Sequence, residues 1–238
     1  MNKTYTLAHI PITSTNPDVL SSMILSRADA HKKTILFYAN TNFVVKCQSI
    51  LPQLRDENVV VVNDGVGVDI GCWLIHSGKF EANLNGTDFT PYFFKQSPKK
   101  HRVFLIGSTA EVLDKAATHL KEQLGQDLAG MCDGFTGVRD ANLIAQINAS
   151  KADVVLVAMG NPLQEKWILD HYQKIDASVL MGVGALFDFW AGNKPRAPKL
   201  VQKLRLEWLF RLSLEPKRLF KRYTIDIFKF LYICIKNK

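Results

Sequence analysis

The first residue in this chain whose type and setting could do chemistry is Asp64. It follows four valines, Val59 to Val62, and lies in the acidic, glycine-rich turn Asn63-Asp64-Gly65-Val66-Gly67-Val68-Asp69. A β-branched run favours a strand covered on both faces, as in parallel sheets, and such sheets hold ligands just beyond the carboxyl ends of their strands. A carboxylate delivered there is placed to take a proton from an attacking hydroxyl. Asn63, Asp64 and Gly65 are also good turn formers, so a purely structural role stands beside the chemical one.

Three more apolar runs end in glycine: Arg102–Gly107, Asp153–Gly160 and Ser178–Gly184. Glycine there lets backbone N–H groups approach an anion held over a helix N-terminus. A tight turn explains one such glycine easily and four less well. None of the turns has the spacing G-x-G-x-x-G, which disfavours a dinucleotide dehydrogenase, and the absence of G-x-x-x-x-G-K-[ST] excludes a P-loop NTPase. The six histidines show no H-E-x-x-H or other ligand spacing.

The elements that would carry these residues alternate. A helix is expected over 18–31 behind Asn16-Pro17, a strand over Thr34–Ala39, a helix over 43–54, and then the valine strand. Strand and helix alternate again through the three glycine-ended runs. The pattern predicts an α/β fold, a Rossmann-like doubly wound and mostly parallel sheet with right-handed crossovers. Residues 1–16 read as irregular, and 80–100 and 128–140 as loops over a site.

After the helix-breaking stretch Trp190–Pro198 the character changes. Residues 199–238 mix aromatic and aliphatic residues with eleven Lys and Arg against Glu207, Glu215 and Asp226, which accounts for the whole net charge of +8. Residues 199–238 are therefore expected to form a basic, amphipathic helical C-terminal appendage to a 1–198 domain. Its most apolar stretch, 223–235, is too short to span a bilayer and suits its interface; an oligomer interface or a helix pair on the domain is the alternative. Nucleic acid is a poorer match for so much aliphatic surface. Cys47, Cys72, Cys132 and Cys234 form no C-x-x-C, and no secretory signal is evident, so a cytoplasmic protein is expected.

Taken together, several stretches resemble the WecG/TagA/CpsF glycosyltransferases, bacterial enzymes that extend lipid-linked sugars. They are Asn63–Gly67, Gly86-Thr87-Asp88, Val103–Gly107, Met159–Ile168, Gly182–Asp188, Gly192 with Arg196-Ala197-Pro198, and Leu206–Arg211 with Glu215–Arg218, in the family's order. Two positions depart from it: Tyr38 and Phe135 stand where the family often has Thr and Tyr.

The resemblance implies inverting transfer of an N-acetylmannosamine-type sugar from a UDP-sugar to a polyprenyl-diphosphate-linked acceptor, in surface polysaccharide or teichoic acid biosynthesis. Asp64 would be the catalytic base, oriented by Asn40, Asn42 or Asn63. Asn40, Gly107, Gly160, Gln164, Gly184 and Asp188 would hold the nucleotide-sugar, with Asp188 at the ribose. Arg211, Arg218 and Arg222 would meet diphosphate, acceptor or membrane. The chain has no D-x-D, so neither metal nor other cofactor is expected. The expected setting is peripheral, on the inner face of the cell membrane, and the sequence leaves both a monomer and a homo-oligomer open. The alternative is a membrane-recruited nucleotide-sugar binding or regulatory protein without transfer activity.

Overall fold

The chain opens with a hairpin that the sequence did not advertise. In the computed structural model, which describes residues 3–237 but not the side chains of Lys203, Arg218 and Arg222, β1 (Lys3–Leu7) pairs antiparallel with β2 (Ile10–Ser14). Ala8 and His9 turn the chain at φ 49° and 66°, the handedness that matches strand twist, but without the Asn-Gly signal that usually marks such a turn. Helix α1 (Pro17–Asp29) starts as expected, with Asn16 Oδ1 accepting the Val19 N–H at 2.9 Å.

Six strands follow: β3 (Thr34–Ala39), β4 (Val59–Asn63), β5 (Arg102–Gly107), β6 (Asp127–Cys132), β7 (Val154–Ala158) and β8 (Val179–Gly182). All eight form one sheet in the order β1-β2-β4-β3-β8-β7-β5-β6, parallel at every pairing except β1 with β2. The helices between them are α2 (Thr41–Lys46), α3 (Val66–His76), α4 (Gly86–Gln96), α5 (Ala110–Glu122), α6 (Leu143–Ala149) and α7 (Leu163–His171), and α8 (Leu186–Trp190) follows β8.

Two apolar cores sandwich the sheet. One receives Phe43 and Val44 of α2, Val68 and Cys72 of α3, and Ile168 and Leu169 of α7. The other receives Phe89 and Phe93 of α4, Val112 and Leu113 of α5, and Leu186 and Phe187 of α8. The chain therefore leaves β3, β4 and β7 toward one face and β5 and β8 toward the other. Neighbouring strand ends diverge where β8 lies between β3 and β7, which opens the crevice characteristic of doubly wound sheets.

Three further expectations change. The 128–140 loop begins with strand, because Leu128–Cys132 belong to β6 and pair with β5, which leaves only the residues after Cys132 as loop. The 80–100 loop contains α4, whose Asn85 cap and aromatic face of Phe89, Phe93 and Phe94 outweigh the N–H that Pro91 lacks. The 43–54 helix shortens to α2 and two 3₁₀ turns, because Pro52 stands between them.

The basic stretch folds into α9 (Lys199–Lys203), α10 (Glu207–Leu214), α11 (Pro216–Tyr223) and α12 (Ile225–Lys236). Helix α12 lies against α2 and α3 and buries Phe230 and Cys234 in the first core. Gly71 makes room for it: a Cβ there would stand 2.5 Å from the Phe230 Cζ. Among the described residues no helix is long and apolar enough to cross a membrane.

Candidate active site

Asp64 sits one residue past β4, half-buried, where its N–H extends the ladder to the Ala39 carbonyl at 2.8 Å. Its Oδ2 accepts a hydrogen bond from Asn40 Nδ2 at 3.2 Å. Asn40 is itself fixed, because its Oδ1 caps α2 by accepting the Phe43 N–H at 3.1 Å. Of the three asparagines left open by the sequence, Asn40 is thus the one whose side chain meets Asp64. Asn63 turns instead to Asp69 Oδ1 at 3.1 Å, and Asn42 to Asn161 Oδ1 at 3.3 Å. Gly65 turns the chain into α3 at φ 89°, a conformation side-chain-bearing residues rarely adopt, and its N–H donates to Asn83 Oδ1 at 2.6 Å.

Across the crevice, Gln164 joins two strand ends. Its Oε1 accepts the Gly160 N–H at 3.2 Å and the Gly184 N–H at 3.0 Å, so the turns after β7 and β8 share one acceptor. Its Nε2 donates to Glu165 Oε1 at 2.7 Å, and Asn161 Nδ2 donates to the same oxygen at 2.6 Å. Three of the six residues expected at the nucleotide-sugar, Gly160, Gln164 and Gly184, are in this arrangement joined through the Gln164 side chain, which is only 3% exposed. Glu165 was not singled out by the sequence, where Gln164-Glu165 reads as an ordinary first helical turn. Asn161, Gln164 and Glu165 do recur at i, i+3 and i+4, and that polar spacing at the start of α7 is the signal.

Burial raises the Glu165 carboxyl above the ordinary carboxylate range despite its hydrogen bonds, and among the described residues its Oε2 has no partner. The folded chain then holds this proton over a pH interval in which the unfolded chain has released it. Its contribution favours the fold below the ordinary carboxylate pKa and declines as pH rises through the folded value. Glu165→Gln keeps an oxygen for both donors and removes the titration. Its melting temperature is expected to fall less than that of the parent as pH is raised above the carboxylate range; parallel curves in a thermal-denaturation series would refute the assignment.

Gly107 lies at the end of β5, where a Cβ would stand 2.4 Å from the Ala158 carbonyl oxygen. The loop after β6 folds over it, with Gly134 N–H donating to Ser108 O at 3.0 Å. Asp133 organises that loop. Its carboxylate accepts the N–H groups of Thr136, Phe135 and Gly137, which hold its pKa down at about 2, and leaves the Phe135 ring 63% exposed. Tyr38, the other departure from the family, is buried, with its ring against Gly86 and its hydroxyl 3.8 Å from the Met181 sulfur.

Asp188 lies on α8 with its Oδ2 3.4 Å from Lys194 Nζ, which also approaches Glu215 Oε1 at 3.5 Å. Arg211 lies 5.2 Å from the Phe189 ring centroid, and Arg196 lies 5.6 Å from the same ring. Arg218 and Arg222 fall on α11, and their side chains lie outside the described residues. The tail reaches the Asp64 end of the crevice as well. A small cleft of about 70 Å³ there is lined by Gly65 and Asn83 together with Arg205, Glu207 and Trp208 of the tail. Arg205 is fastened there by Asp69, Nη1 to Oδ2 at 2.7 Å.

A mostly parallel sheet with diverging strand ends, β4 ending at a held carboxylate and β5, β7 and β8 ending in glycine turns, defines a protein of the Rossmann-like α/β class. The chain belongs to the Glycosyl transferase WecG/TagA/CpsF family, whose sequence profile matches residues 5–238. Among its relatives are the proteins named N-acetylglucosaminyldiphosphoundecaprenol N-acetyl-beta-D-mannosaminyltransferase in Staphylococcus aureus strains NCTC 8325 / PS 47, COL and MRSA252. Each is 34% identical over 198 residues, covering 83% of this chain and 77% of the relative. The chain is accordingly a glycosyltransferase of the hexosyl-transferring kind.

Proposed function

We propose that this enzyme moves an N-acetylmannosamine-type sugar, with inversion and without a metal ion, from a UDP-sugar to a sugar carried on a polyprenyl diphosphate. The observation that carries the reading is the Asp64 carboxylate, held by Asn40 at the end of β4, one strand away from the place where β3 and β8 lead to opposite faces of the sheet. The names of the relatives supply the acceptor and the transferred sugar.

In the proposed step Asp64 accepts the proton of the acceptor hydroxyl as its oxygen bonds to the anomeric carbon, and the bond from that carbon to the UDP oxygen breaks. UDP leaves with the electron pair. Gln164 fixes the β7 and β8 turns so that their backbone dipoles are set before the charge develops. Gly107 brings the β5 turn close, Asp188 reaches for ribose hydroxyls, and Arg211, Arg218 and Arg222 neutralise diphosphate. The absence of D-x-D from the sequence supports cationic side chains in place of a metal. The basic tail suits the inner leaflet of a membrane, where teichoic acid or surface polysaccharide precursors would be extended.

A panel of UDP-sugars offered with a synthetic polyprenyl-diphosphate N-acetylglucosamine, read by mass spectrometry, tests this. The expected result is one added N-acetylhexosamine and one UDP released per acceptor, at a rate unchanged by a chelator. Release of UDP with no acceptor-dependent product would overturn it.

A further inference from the structure

The helix that starts beside Asp64 turns an apolar face outward. On α3, Ile70, Trp73 and Leu74 follow one another at i, i+3 and i+4 and are 48%, 64% and 46% exposed, while Val68 and Cys72 on the opposite face are buried. Such a stripe on a helix of the α/β layer is what a core would normally cover. The neighbouring helix repeats the pattern. Helix α12, which packs against α3, buries Phe230 and Cys234 on one side and exposes Ile225, Phe228, Tyr232 and Ile235 on the other, at i, i+3, i+7 and i+10. Both its faces are apolar, so docking on the domain uses one and leaves the other without a partner.

We propose that α3 is itself part of the surface that contacts lipid, so that the bilayer is met by two helices, one of them belonging to the catalytic layer. The proposal rests on the membrane setting argued for this transferase and extends it from the tail to the domain. Charge decides between lipid and a second copy. The whole net charge of +8 lies in residues 199–238, and Lys229 and Lys236 are exposed on α12 itself, with Lys236 Nζ lying 5.8 Å from the Tyr232 ring centroid. Two such faces would repel each other, and the cores of protein interfaces are poor in lysine. An anionic leaflet attracts them, takes aliphatic side chains below its headgroups, and holds Trp, Tyr and Lys at headgroup level.

The placement has a use. Asp64 stands six residues before Ile70 and two before the start of α3, so the proposed base lies at the head of the short helix that carries the lipid contact, and a sugar linked by a diphosphate to a membrane lipid needs to rise only a turn or two of helix to reach it.

The test uses the full chain with vesicles of phosphatidylglycerol and phosphatidylcholine. Ile70→Gln/Leu74→Gln is expected to partition at least about 10-fold more weakly than the parent, with an unchanged melting temperature. Brominated lipid is expected to quench tryptophan emission more in the parent than in Trp73→Phe, which keeps an apolar ring and should bind as well. With a short, water-soluble prenyl-diphosphate acceptor the double variant should turn over at the parental rate. Unchanged partitioning, or equal quenching in parent and Trp73→Phe, overturns the proposal. So does a parental dimer that the double variant converts to monomer with no loss of vesicle binding. Failure of the parent to transfer sugar to any acceptor would sink the transferase reading instead, and leaves the partitioning result to decide this one.

Discussion

Asp64→Asn is expected to lower the rate of sugar transfer by about 10²- to 10⁴-fold, the range a positioned general base contributes, with little change in melting temperature. The substitution is nearly isosteric. Asparagine keeps an oxygen that can accept the Asn40 Nδ2–H now 3.2 Å from Asp64, and it keeps the backbone N–H bonded to Ala39. It loses the negative charge and, with it, the capacity to take a proton. Asn40→Ala makes the complementary case, because it removes both the partner of Asp64 and the cap on α2. That loss should cost about 0.5–2 kcal/mol of stability and leave a base that is present but poorly aimed. Single-turnover rates, read beside thermal denaturation, separate the two effects. Near-parental turnover by folded Asp64→Asn would refute the assignment.

Phe230→Ala should destabilise the protein by about 3–5 kcal/mol, the usual range for removing a buried phenylalanine. Phe230 is 1% exposed and belongs to the same core as the α2 and α3 side chains. Its ring occupies the space that Gly71 leaves open, so Gly71→Val attacks the same contact from the other side. The two losses should not add, because each removes the same packing. Equilibrium denaturation in urea gives both numbers and the double variant. A loss under about 1 kcal/mol for Phe230→Ala would mean that α12 rests on the domain rather than belonging to its core.

That contact also marks where the sequence was hardest to read. Charge and composition set residues 199–238 apart, and both are local properties. What joins α12 to the first core is the pairing of a missing Cβ at 71 with a ring at 230, a relation between distant positions that no periodicity records. The strands were legible for the opposite reason. Val103–Ile106 and Val154–Val157 are buried on both faces, as are Val61 and Val62 at the end of the valine run, and such runs carry their own signal. The hairpin of β1 and β2 was missed because its Ala8-His9 turn lacks turn-type residues, and α4 because Pro91 argues against a helix that its aromatic face nevertheless builds. At the site, the position of Asp64 at a strand end followed from the sequence, whereas the choice of Asn40 over Asn42 and Asn63 needed the sheet order. Only β3 beside β4 brings residue 40 next to residue 64. The same holds for Glu165, polar in sequence yet buried by the turns that fold over it.

The amide of Gln164 has a mechanical consequence. One oxygen receives N–H groups from the ends of two neighbouring strands, so the distance between those ends is gauged by the length of a single side chain. Gln164→Asn, one methylene shorter, can satisfy one glycine or the other but must either abandon the second or draw the turns together. The separation of these two turns is thus held by a spacer, and a ligand that meets Gly160 and Gly184 finds their spacing set before it arrives.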